Sequence, residues 1–414
     1  MSSLVGLFLI LAKPFYLGLY CEFSMEYAKD IVIVGGVRTA QGKFKGSLFN
    51  VPAVDLGAMA ISSTLEKTGV KAELVDEVIM GNVLSAGIGQ HPARQAALKA
   101  GIPAEIPALT INKMCGSSMK AIMLAANSIK AGESELLIAG GMESMSQSPF
   151  TVARAEDGKV SMETPVDSMM HDGLIDPLNG MVMAETGNRI AEQYGITREE
   201  ADLFAIESHI RAHTARKKGA FSEYHINVEH ENGSLDKDEG VRPDSSLESL
   251  SKLKPVFDEN GVVTAGNASQ ISDGAAACIV TTRQKAEDLG LDVLATITGY
   301  CAVGIECADV MSAPIPTVQK LWKLLGREGE KDYDLYEHNE AFACASLGVM
   351  QGLGLKHEKL NIHGGAVAMG HPLGASGCRI VLALIHALRR TGGKRGFATA
   401  CLGGGMATAI EVEV

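Results

Sequence analysis

The chain has no basic excess, no paired C-x-x-C cysteines, no apolar run long enough to cross a bilayer and no phosphate-loop signature. Each absence removes a class of function. A net charge of −12 and a pI near 5.4 argue against a broad nucleic-acid or anionic-membrane surface, because both need a concentrated basic footprint. Eight cysteines without regular spacing exclude a disulfide framework and make a metal site a poor reading. His209 and His213 stand at i and i+4 on a predicted helix, a spacing that chance supplies on many solvated helices. Gly370, Gly374 and Gly377 fit neither the dinucleotide fingerprint nor the Walker spacing.

The apolar run Leu4 to Ala12 is too short to span a membrane and is broken by Lys13-Pro14. No basic residue precedes it, and Tyr20 before Cys21 is too bulky for an export-signal cleavage site. Export is disfavoured and a cytoplasmic location is expected. Residues 1–24 read as an extension or disordered tail, with Met25 as the working start.

What the chain does have is 46% hydrophobic content and 414 residues, enough for two or three domain-sized units. Ile31 to Val34, Val78 to Met80, Leu109 to Ile111 and Leu136 to Ala139 are continuous apolar runs bounded by Gly, Asn or Pro, and predict buried strands. After Cys115, Met119, Ile122, Met123, Ala126 and Ile129 recur at helical spacing up to Gly132. Strands alternating with helices predict an α/β fold with both sheet faces covered.

The order of elements repeats. Helix to Gly132, strand, then Gly140-Gly141-Met142 is matched by helix to Gly392-Gly393, strand Phe397 to Ala400, then Gly403-Gly404-Gly405-Met406. Two such halves would meet with Cys115 and Cys401 at their seam. The expected division is a half at 25–146, an inserted lobe at 147–270, richer in polar residues and carrying a helix from Arg198 to Lys218, and a second half at 271–414.

Cys115 lies where a strand gives way to a helix, and a helix N-terminus favours a thiolate. Alone, it reads better as a buried structural thiol, the commoner fate of a single cysteine. His371, in Gly370-His371-Pro372, is held by a tight loop and could take the thiol proton. Cys401 supplies a second thiol ahead of the triple glycine, and Asn339 at a strand end could fix a water or a carbonyl oxygen. The set suits carbon–carbon chemistry on thioesters.

With these residues in place the chain resembles the thiolases, coenzyme A-dependent acetyltransferases, from about Met25 to Val414. Asn112 to Ser118 is similar to the nucleophile segment and Asn339 to Phe342 to the N-E-A-F segment. Gly364 to Gly377 and Cys401 to Gly405 resemble the G-H-P and C-x-G-G-G segments. The resemblance implies a duplicated five-layered α/β fold, coenzyme A as substrate and product with no tightly bound cofactor or metal, and a homotetramer formed as a dimer of dimers. It implies ping-pong acetyl-CoA C-acetyltransferase chemistry, with Cys115 as acyl carrier and His371 as its activator. Cys401 would be the proton carrier, Asn339 would hold a water, and the N–H groups of Cys115 and Gly403 would form an oxyanion hole. Coenzyme A contacts are implied at Arg242, Phe257, Ala265 and Ser269, with Met183, Ala341 and Phe342 lining the tunnel, and a tetramer-forming loop at Arg154 to Leu174.

Two departures from the family pattern stand out. Val182 precedes the tunnel methionine where acetoacetyl-CoA specialists often carry His, and His363 stands where Asn is common. Alternatives are a β-oxidation 3-ketoacyl-CoA thiolase acting on longer chains and, in a different class, a non-catalytic lipid-binding or scaffold relative. An acyl-carrier-protein condensing enzyme would pair its cysteine with His/His or His/Asn, against which Cys401 speaks.

Overall fold

The computed structural model describes residues 30–161 and 164–414. The tail expected at 1–24 and the start expected at Met25 lie outside them. The main strands are β1 (Ile31–Thr39), β2 (Glu77–Gly81), β3 (Ala108–Ile111), β4 (Leu136–Ser144), β5 (Ser272–Thr282), β6 (Ala295–Gly304), β7 (Leu335–His338), β8 (Arg395–Leu402) and β9 (Met406–Glu413). The main helices are α1 (Ala53–Thr68), α2 (Pro92–Lys99), α3 (Ser117–Ala131), α4 (Met183–Tyr194), α5 (Arg198–Lys217), α6 (Pro314–Leu325), α7 (Ala343–Leu353) and α8 (Ser376–Thr391).

Strand pairing shows the duplication directly. In the first half β2 runs parallel to β4, β4 is antiparallel to β5, and β5 to β1. In the second, β7 runs parallel to β8, β8 is antiparallel to β9, and β9 to β6. The two half-sheets pair through Val32 with Thr296 and Ile33 with Ala295. β5 lies between β1 and β4, so strand pairing places Ser272–Thr282 with the first half, and a boundary drawn from pairing falls after Thr282.

The period of two along each strand sorts its side chains into different cores. From β1, Ile31 and Ile33 enter a central core while Val32 and Val34 enter an outer one with α1 and α2. On β8, Ala398, Ala400 and Leu402 face the same central core, whereas Phe397 and Cys401 face a second outer core with α5, α6 and α7. Helices α3 and α8 fill the space between the half-sheets. The result is five layers: helix, sheet, helix, sheet, helix.

Both central helices end as their sequences predict. Gly132 (φ 76°) and Gly392 (φ 73°) take the left-handed conformation that closes a helix without steric cost. Because they start at Ser117 and Ser376 respectively, their N-terminal ends meet at the seam between halves. The segment between β4 and β5 carries α4 and α5, and the strands among its described residues are two or three residues long; one of them, His225–Ile226, pairs parallel with β1. Among the described residues no helix is long and apolar enough to cross a membrane.

Candidate active site

Cys115 follows Met114, whose left-handed φ of 48° is uncommon for a side chain with a Cβ. The turn is pinned by Ser117, whose hydroxyl accepts from the Lys113 N–H (2.8 Å) and donates to the Met114 carbonyl (2.7 Å). Backbone strain fixed this way is a common mark of a functional position. The backbone N–H groups of Gly403 and of Cys115 itself favour the charged form of the Cys115 sulfur.

The expected thiolate is not what forms. Gly116, not Cys115, is the cap residue of α3. Burial pushes the Cys115 thiol up to about 11, outweighing the two N–H groups, and the Glu143 carboxyl adds to the rise. Burial raises the Cys401 thiol as well, and the Cys115 sulfur beside it works in the same direction. The two halves thus bring both thiols to one place; the Cys401 sulfur also lies 3.6 Å from the Met311 sulfur.

His371 is held from three sides. Its backbone N–H donates to the Gln270 carbonyl (2.9 Å), and Gly370 before it (φ 111°) leaves no room for a Cβ, which would stand 2.2 Å from the Ser272 hydroxyl. Its Nδ1 lies 2.6 Å from the Ser376 hydroxyl, which itself donates to the Pro372 carbonyl. With that proton spent, the serine oxygen can only accept, so Nδ1 carries the imidazole proton and Nε2 is left as the basic nitrogen. Burial, helped by the Arg379 guanidinium, lowers the ring to about 3 and keeps it neutral.

Asn339 ends β7 and places its amide nitrogen 3.2 Å from His371 Nε2, while its oxygen accepts from Arg379 (3.3 Å). Two buried carboxylates outside the expected set tie the surrounding loops. Glu143 accepts from the N–H groups of Val83, Leu84 and Gly374 and from the Asn82 amide. Glu340 accepts from Asn361, Ser208 and the Val367 N–H. Burial raises Glu143 to about 7 despite its donors. Leu373 packs in a small cluster with Val83 and Leu84, against which Cys115 rests.

The remaining candidates come from several segments. Ala341 and Phe342 are buried, and the Ser269 N–H donates to the Ala341 carbonyl (2.9 Å), joining the Ala265–Ser269 turn to the strand-end loop. Met183 opens α4 and packs against the core that holds Phe342. Arg242 and Phe257 are exposed, the latter with 62% of its surface open and a left-handed φ of 66°. His209 is not on a solvated face. It is buried, and its Nδ1 accepts from the Arg242 N–H (3.0 Å), because α5 turns that side toward the core. Among the described residues no three His, Cys, Asp or Glu side chains gather to hold a metal ion.

Sequence reasoning missed Ser376, Arg379, Glu143 and Glu340. Only Glu340, beside Asn339 in the same motif, carried a readable signal.

Two thiols brought together from the two halves, and a neutral imidazole on the loop whose Leu373 belongs to the cluster packed by Cys115, are the equipment of an acyl-transfer centre. Comparison with known proteins narrows the class. The thiolase N-terminal domain family matches residues 31–284 and the thiolase C-terminal domain family residues 291–414, so the chain belongs to the thiolase family. It is 48% identical to an acetyl-CoA acetyltransferase of Cupriavidus necator, over 93% of this chain and 99% of that protein. It is 45% identical to a probable acetyl-CoA acyltransferase of Staphylococcus aureus, over 92% and 98%. The solved human mitochondrial 3-ketoacyl-CoA thiolase superposes with a TM-score of 0.90 at 38% identity, covering 94% of this chain and 99% of that one. The same human enzyme has been solved in complex with CoA, again with a TM-score of 0.90.

Proposed function

We propose that this thiolase is an acetyl-CoA C-acetyltransferase, condensing two acetyl-CoA molecules reversibly to acetoacetyl-CoA and coenzyme A through an acetyl-Cys115 intermediate. The observation that carries the mechanism is the meeting of the two halves, which brings the Cys401 thiol against the Cys115 sulfur; the Cys115 and Gly403 N–H groups, which favour charge on that sulfur, would donate to the oxygen of an acyl group carried on it. His371 Nε2 takes the Cys115 proton as the sulfur attacks the first acetyl-CoA, and Cys401 gives its own proton to the departing coenzyme A. The Cys401 thiolate left behind then removes the α-proton of the second acetyl-CoA. The enolate oxygen is held on the Asn339 and His371 side, its carbon attacks acetyl-Cys115, and the C–S bond breaks as Cys115 leaves and recovers its proton from His371. Positioned acid–base help of this kind is worth about 10²- to 10⁴-fold.

The exposed Arg242 and Phe257 and the turn at Ala265–Ser269 form the coenzyme A side of this reading, with Met183, Ala341 and Phe342 around the acyl group. The cytoplasmic location and the tetramer rest on the sequence and the family resemblance. A second reading, a 3-ketoacyl-CoA thiolase for longer chains, is favoured by Val182 in place of the histidine common in acetoacetyl-CoA specialists. Coenzyme A-dependent cleavage of a 3-oxoacyl-CoA series from four to sixteen carbons separates the two. Acetoacetyl-CoA should be cleaved efficiently; activity confined to long chains would replace the first reading with the second.

A further inference from the structure

The far end of α8 lies about 24 Å from its catalytic end, taking a 1.5 Å rise over 16 residues. There the C-terminal ends of α5 and α8 and the loop at Ile362 and His363 enclose a cleft of about 480 Å³. A neighbouring hollow of about 390 Å³ shares Ala220 and Arg390 with it. The size suits a small molecule.

Its charge is the reverse of the molecule's. The chain carries a net −12, yet Arg211, Lys218 and Arg390 line the cleft and no carboxylate does. Arg211 is spent on Glu207 and on the His357 and Leu360 carbonyls. Lys218 has no ion pair among the described residues, and Arg390 makes one bond, from Nη2 to the Lys218 carbonyl (2.6 Å). His363 completes the group. Only 9% of it is exposed, its ring edge meets Phe221, and its buried Nδ1 has no partner among the described residues. Arg390 acts on this ring as a positive charge, while burial lowers His386, whose Nδ1 lies 3.2 Å from the Glu223 carboxylate. A buried polar atom without a partner is costly unless a ligand supplies one. Ile210, Ala215 and Ile362 give the same cleft an apolar wall.

We propose that this cleft binds a small oxyanion, a carboxylate or phosphate group on a short apolar body, with Lys218, Arg390 and His363 as its donors. His363 is the residue by which this chain departs from the Asn common in its family. The site is separate from the thiolase centre, so it stands or falls independently of the proposed reaction.

Calorimetric titration of the full chain with inorganic phosphate and with butyrate, each in saturating coenzyme A, tests it. One saturable site per chain is expected for at least one probe, weakened tenfold or more by Lys218→Gln with Arg390→Gln and by His363→Leu, with turnover retained in all variants. Binding of phosphate alone or of butyrate alone identifies the head group. No saturable binding at millimolar concentration, binding unchanged in the variants, or binding abolished by coenzyme A would overturn the proposal.

Discussion

At the scale of single residues, the centre works from neutral groups. With the Cys115 thiol up at about 11 and His371 down at about 3, both are uncharged across the physiological range. Below about 11 the thiol keeps its proton, so a thiolate must be made on demand as substrate arrives rather than stored as an ion pair. Alkylation of Cys115 by iodoacetamide should therefore keep rising with pH through and above pH 8; a plateau reached below pH 7 would show a standing thiolate–imidazolium pair. Cys115, His371, Asn339 and Cys401 were legible because each sits beside glycine or at a strand end in a distinctive motif. Arg379 and Glu143 were not, because their roles exist only across long sequence gaps, and Ser376, close to His371 in sequence, reads as an ordinary serine at a helix start. Glu143 holds Gly374, 231 positions away, and within its own strand reads as an ordinary polar residue near a turn.

At the scale of elements, the seam depends on strands packed closely enough to admit only glycine. A Cβ on Gly141 in β4 would stand 2.0 Å from the Gly374 carbonyl, on the loop that carries His371. Overpacking of this sort costs about 1–3 kcal/mol. Gly141→Ala should thus lower the midpoint of urea unfolding and reduce kcat more than it changes KM, since the His371 loop would be displaced; unaltered kcat would show that the loop tolerates the shift.

The strands at Ile31, Val78, Leu109 and Leu136 were visible as apolar runs, whereas β5 was not. Its Ser-Asp-Gly-Ala-Ala-Ala-Cys sequence has little hydrophobic signal, yet it is buried almost throughout between β1 and β4. Small side chains are what a strand needs where layers on both faces approach closely, and no local pattern announces that need.

At the scale of the whole molecule, the repeat of element order was readable because Gly-capped helices precede both catalytic-side strands, but the assignment of β5 to the first half required the pairing itself. The segment proposed to drive tetramer formation, Arg154 to Leu174, exposes Val160 (69%) and Val166 (44%), and Phe150 (67%) stands just before it in the strand that pairs with Val166–Asp167. Exposed apolar side chains gathered on a protruding segment mark an association surface. Replacing residues 152–165 with a short Gly-Ser linker should convert a tetramer to a dimer in light-scattering measurements, with turnover retained; an unchanged mass would place the association elsewhere.

Each half contributes one thiol, and in the proposed reaction their meeting gives the acyl group both a carrier and a proton partner. Mass spectrometry of the protein quenched after mixing with acetyl-CoA tests this most directly. One acetyl group should appear on the peptide containing Cys115, disappear on addition of coenzyme A, and be absent in Cys115→Ser. An acetyl group found on Cys401, or no acylated protein at all, would contradict the assignment of Cys115 as the acyl carrier.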